Sequence, residues 1–198
     1  MLPSVAPMVL TFARVQAERT RSGRPDTAPT WVFVSGYFAV WTAFGLVAYG
    51  FFLVARDWGS SLLDWDGSGR YVAGGAVAAA GVYELTRAKD VCLRRCRSPL
   101  HFLAHSWREG RLGALRLGVV HGAYCVGCCL GLFVILFAVG VMSLFWMALI
   151  AAVILVEKVL PFGERVSRVF ALAFILLGVL VAFDPSAVPG LTEPGSMP

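Results

Sequence analysis

From Leu117 to Val156 the chain carries no charged side chain, an unbroken run of about 40 residues. As a helix rising 1.5 Å per residue it would be about 60 Å long, roughly twice the hydrocarbon thickness of a bilayer. Such a run must fold back on itself as a helical hairpin, and its expected turn is Gly140-Val141-Met142-Ser143. No apolar/polar alternation marks the strands of a closed barrel, so helices are the way for its backbone to satisfy itself. The first half of the run holds His121, Cys125, Cys128 and Cys129. An imidazole and three thiols inside a segment of this kind call for protein partners or a metal.

The remainder of the chain supports the same class. Of its 198 residues 58% are hydrophobic and 15% charged, against about 25% charged in a soluble domain. No polar stretch is long enough to build a soluble core. The expectation is an all-α, polytopic transmembrane helical bundle with five full spans plus a partial N-terminal helix. Residues 31–55 form the first full span, and 71–86 a short one rich in Gly and Ala, suited to close packing between helices. The hairpin supplies two more, and residues 166–183 the last. Trp31, Tyr37 and Trp58 suit membrane interfaces. Residues 1–13 are apolar but too few to cross, and read as the second half of a helix. Residues 1–183 are expected to be a single integral membrane domain. Residues 184–198, rich in Pro, Gly and Ser, are expected to be a disordered tail.

Charge sets the orientation. Segments 14–30, 87–116 and 157–168 hold 15 of the 17 Lys and Arg residues, and segment 56–70 holds the other 2. Alternate connections are therefore basic, which places those three in the cytoplasm and the acidic loop and C-terminal tail outside. The net charge of +5 reports topology, not nucleic-acid binding, because the arginines flank spans. Five cysteines without the spacing of a secreted scaffold exclude a disulfide framework, and no secretory leader is evident. A multi-pass membrane protein, with the lipid bilayer as its main partner, is the expectation.

His121, Cys125, Cys128 and Cys129 stand at i, i+4, i+7 and i+8, one face of a helix. Thiolates select Cu(I), Zn(II) or iron–sulfur clusters, and imidazole accepts copper or zinc. Gly122 and Gly127 let another helix or a ligand come near. The alternative is that these cysteines are small buried hydrophobes. Cys92 and Cys96, in Cys-Leu-Arg-Arg-Cys-Arg, are i, i+4 among arginines that would favour the thiolate and suit an entry site for metal. An ordinary basic helix against anionic lipid is the competing reading. Glu157, beside Lys158 at the cytoplasmic end of the fifth segment, is a further candidate ligand, and Glu84 has the same ambiguity. Met8, Met142 and Met147 offer soft thioethers but suit packing better. His101 and His105, i, i+4, suit an interfacial helix as well as a metal. No haem-attachment motif, phosphate-binding glycine loop or His-Glu-x-x-His is present, and no enzyme activity is expected.

The segment Tyr83-x-Leu85-Thr86-x-x-Lys89-x-x-Cys92-Leu93-x-x-Cys96-Arg97-Ser98-Pro99, then His121-Gly122-x-Tyr124-Cys125-x-Gly127-Cys128-Cys129, then Glu157-Lys158, resembles the predicted metal-binding integral membrane proteins of bacteria. Some of these are regarded as membrane copper chaperones serving copper oxidases such as tyrosinase. The resemblance spans about residues 1–183 and implies copper as the ion, a copper-enzyme client or metal donor as partner, and the bacterial inner membrane as location. Family members usually begin with a complete Trp- and Met-rich helix. This chain starts as if inside that helix, so its true start is expected upstream of Met1. The reading that results is a Cu(I)-binding membrane protein acting in copper delivery or handling, with zinc as the other candidate ion. A membrane thiol oxidoreductase using Cys125 and Cys128 is one alternative. A structural membrane subunit whose cysteines only pack is another.

Overall fold

The structure is a computed structural model, which describes residues 2–23, 28–59, 68–139, 144–160 and 163–184. The expected hairpin turn at 140–143, most of the acidic loop and the tail from 185 lie outside the described residues. Among the described residues there are eight helices: α1 (Leu2–Arg21), α2 (Thr30–Gly59), α3 (Arg70–Glu84), α4 (Arg87–Arg97), α5 (Pro99–Ser106), α6 (Gly110–Val139), α7 (Leu144–Val159) and α8 (Gly163–Phe183). The all-α expectation holds.

Length and hydropathy qualify three of these as membrane spans: Thr30–Val54, Gly110–Ala138 and Gly163–Phe183. Among the described residues, three of the expected five spans are therefore supported. At 15 and 16 residues, α3 and α7 extend only about 22–24 Å, short of a 30 Å hydrocarbon layer. The exposed surfaces of α2 and α8 are apolar. Leu46, Val47, Phe51, Leu172 and Leu176 are all exposed, a distribution that water penalises and lipid tails do not. The N-terminal segment, expected to be a partial helix, is helical from Leu2 to Arg21 and contains Pro7.

The chain divides into two compact units. The first comprises Met1–Ala48 and Val91–Cys128, the second Tyr49–Asp90 and Cys129–Pro198.

In the first unit the core is laid down by helical periodicity. Val5, Met8 and Phe12 of α1, Phe33 and Tyr37 of α2, Phe102 and Leu103 of α5, and Ala114, Leu117 and Cys125 of α6 form one buried cluster. Spacings of three and four put each set on one stripe of its helix. Phe12 stacks on Phe33 with centroids 5.0 Å apart. Tyr37 is buried here, not at an interface as expected. Met8 is packing, as its type favours. Backbone meets backbone where α2 crosses α6: a Cβ on Gly118 would strike the Phe33 carbonyl, and one on Gly36 the Leu115 carbonyl. Glycine at both positions is what permits the approach.

In the second unit α3 lies against α8 through small residues, as the Gly/Ala-rich sequence of α3 leads one to expect. A Cβ on Gly74 would come 2.5 Å from the Gly178 carbonyl, and one on Gly178 would come 2.6 Å from the Ala78 amide nitrogen. α7 also packs on α8.

Candidate metal centre

The first unit brings cysteines from two helices together. α4 is a short, strongly amphipathic, arginine-rich helix whose buried Leu93 anchors it. Cys92 and Cys96, one turn apart, share its inward side. Opposite them runs the α6 stripe of Ala114, Leu117, His121, Cys125 and Cys128, all buried.

Cys128 Sγ lies 3.8 Å from Cys96 Sγ, and its thiol donates to the Cys125 carbonyl oxygen at 3.2 Å. All five cysteines are thiols, and the 3.8 Å pair is far from the roughly 2.0 Å of a disulfide. Cys92 reaches the same stretch of α6: a Cβ on Gly127 would stand 2.9 Å from its sulfur. A larger residue than glycine at 127 would displace that thiol. Cys125 Sγ is in hydrogen-bond contact with the Tyr37 hydroxyl at 3.4 Å.

His121, also expected in the set, is enclosed by aromatic rings. Phe102 meets it edge-on at 5.3 Å, and Phe33 and Tyr37 lie 6.1 Å away. It stands about 10 Å below Cys128 along the helix axis. Cys129 is buried on α6 as well, but belongs to the second unit. Glu157 is there too, with both carboxylate oxygens accepting from Lys89 Nζ at 3.1 and 2.8 Å. Among the described residues no three His, Cys, Asp or Glu side chains converge as a metal site. His101 and His105 are exposed and stacked on each other at 4.1 Å.

Electrostatics around the thiols departs from expectation. Burial pushes the Cys92 thiol above its ordinary pKa, and Arg95 opposes this without overcoming it. The surrounding arginines therefore do not hold Cys92 as a thiolate. One of them is used elsewhere: the Arg95 guanidinium lies 4.9 Å over the ring of Tyr124, a cation–π contact that ties α4 to α6.

The donor set is soft: two sulfurs face each other, with a third one helical turn along α4. Sulfurs 3.8 Å apart can hold one ion at about 2.3 Å each with an S–metal–S angle near 110°. Zn(II) in a structural site takes four donors. Cu(I) is satisfied by fewer and is selected by thiolates. The pair by itself falls short of the four donors of a structural zinc site.

Cys92, Cys96, Cys125 and Cys128 were singled out in the sequence by residue type, whereas Tyr37 was not read as a neighbour of Cys125. Its only signal was the Phe33–Tyr37–Trp41 stripe on α2. Pairing of Cys96 with Cys128 had no signal, because 32 residues separate them.

Apolar helices of membrane length, with cysteine sulfurs presented by one helix to another, define a helical membrane-type protein equipped for a soft metal. A family model described as PpoB2, copper chaperone, matches residues 1–181, and the chain belongs to that copper chaperone family. The membership implies copper binding and a role that is typically non-catalytic. Comparison with curated proteins and with solved structures finds no match.

Proposed function

We propose that this chain is a membrane-embedded Cu(I) carrier that holds its ion on the Cys96–Cys128 pair and passes it to a copper enzyme. The observation that supports the site is the 3.8 Å approach of two thiols from different helices. Cys92 and Cys125 flank the pair and would receive the ion during loading or release. Binding displaces the thiol protons, so affinity rises with pH. His121 stands farther along α6, enclosed by Phe102, Phe33 and Tyr37, and is not assigned to the pair.

In this reading α3 and α7 complete five crossings despite their length, with the basic connections in the cytoplasm of a bacterial cell. Cys92 and Cys96 then face the cytoplasmic supply of copper. Glu157, committed to Lys89, is not a ligand here. The thiol oxidoreductase alternative, built on Cys125 with Cys128, has less support. Those two sulfurs turn to different partners, Tyr37 and Cys96.

Purification in mild detergent from copper-supplied and zinc-supplied cells, with elemental analysis, tests the reading. One copper per chain, with zinc absent from the second preparation, is the expected result. A protein free of copper after reconstitution with Cu(I) would refute it and leave the cysteines as packing groups.

A further inference from the structure

Away from the thiols, the second unit buries three ionisable side chains against one another. Lys89, in the first turn of α4, is fully buried. Its ammonium bonds both oxygens of Glu157 on α7, at 2.8 and 3.1 Å, and forms an ion pair with Glu84 Oε2 at the end of α3. Glu84 Oε2 also accepts from the Ser167 hydroxyl of α8 at 3.4 Å. Glu84 Oε1 is buried with no hydrogen-bond donor and rests against α6, where a Cβ on Gly131 would stand 2.6 Å from it. Lys158, next to Glu157 on α7, is the other charged group acting on that carboxylate.

Among the three fully buried side chains the charges do not balance, Lys158 being only half-buried. Two carboxylates meet one ammonium, and each of the three side chains is at most 2% exposed. A buried carboxylate needs a counter-charge or a proton, and two carboxylates sharing one site cannot both ionise easily. One oxygen, Glu84 Oε1, is left with no donor in a place closed to water.

We propose that Glu84 and Glu157 share one exchangeable proton across Lys89, so that the cluster is a proton-binding site within the helical bundle. Uptake forms one O–H bond on a carboxylate, with Glu84 Oε1 as the resting position. No electron moves and no other covalent bond changes. With the proton present, the remaining carboxylate and the ammonium form a neutral pair. The site is separate from the thiols and stands whether or not they bind copper.

Infrared spectroscopy of the full chain in lipid nanodiscs tests this. At neutral pH exposed carboxyl groups are ionised, so a carboxylic-acid C=O band reports the buried proton. The expected band shifts in D2O and is unchanged when sodium, potassium or copper is removed. It disappears in Glu84→Gln and equally in Glu157→Gln, because each leaves one carboxylate paired with Lys89. Lys89→Met should double it. Absence of the band from the unaltered protein would overturn the proposal without any variant. Survival of the band in either Gln variant would overturn the sharing. A band that emerges only after cations are stripped would show that a metal ion, not a proton, supplies the missing charge.

Discussion

If one ion bridges Cys96 and Cys128, the two residues act as a unit, and replacing either should be about as harmful as replacing both. Structural zinc in zinc-finger peptides binds with about 10–16 kcal/mol over four ligands, or about 3 kcal/mol per donor. Loss of one soft donor should therefore weaken Cu(I) binding by about 10²- to 10³-fold. Serine is nearly isosteric with cysteine, and Cys128 lies beside a carbonyl acceptor 3.2 Å away that a hydroxyl can also use. The fold should survive, which far-ultraviolet circular dichroism would verify. The assay is competition with a coloured Cu(I) chelator for Cys96→Ser, Cys128→Ser and the double variant. The double variant should lose no more than the larger single loss. Affinity losses that simply add would mean that the two thiols bind separate ions. Unchanged affinity in both single variants would show that the 3.8 Å approach is packing.

Other consequences are accessible to simpler measurements. Gly118→Val should lower stability by at least about 1–3 kcal/mol, seen as a lower melting temperature in detergent. Gly75→Ala, with open space around it, should leave that temperature unchanged or raised. Tyr37→Phe removes the contact to Cys125 and should reduce stability by about 0.5–1.5 kcal/mol while copper stoichiometry stays at the unaltered value. Cys92→Ser should slow copper uptake in stopped-flow loading without reducing final occupancy; loss of all bound copper would move the principal site to Cys92. A periplasmic reporter enzyme fused after Pro198 should be active, and one placed after Arg108 inactive, as the charge distribution requires.

The parts of this molecule legible in the sequence were those encoded by local periodicity. The α6 stripe followed from the spacing of His121, Cys125 and Cys128, and all three side chains are buried on that helix. The long apolar runs of α2, α6 and α8 gave the candidate spans. What stayed hidden was the docking of α4. Its arginines dominate its composition, so it read as a surface connection, and Lys89 was counted among loop cations that orient the chain. Burial of Leu93 and Lys89 depends on helices far away in sequence, which no spacing rule can supply. Cys92 shows the same limit: neighbouring arginines were visible in the sequence, whereas the burial that outweighs Arg95 was not.

The glycine contacts between α2 and α6 bear on motion. Where Gly36 and Gly118 meet the opposing backbone, no side chain lies between the helices, so no rotamer change can let one slide over the other. Interiors packed this closely transmit displacement rather than absorb it. The backbones that carry Tyr37 and Cys125 are thus held at a fixed spacing. α4 is different: it is held to α6 through side chains, the Cys96–Cys128 contact and Arg95 over Tyr124. The contact between α4 and α6 can therefore adjust by side-chain rotation, whereas that between α2 and α6 cannot.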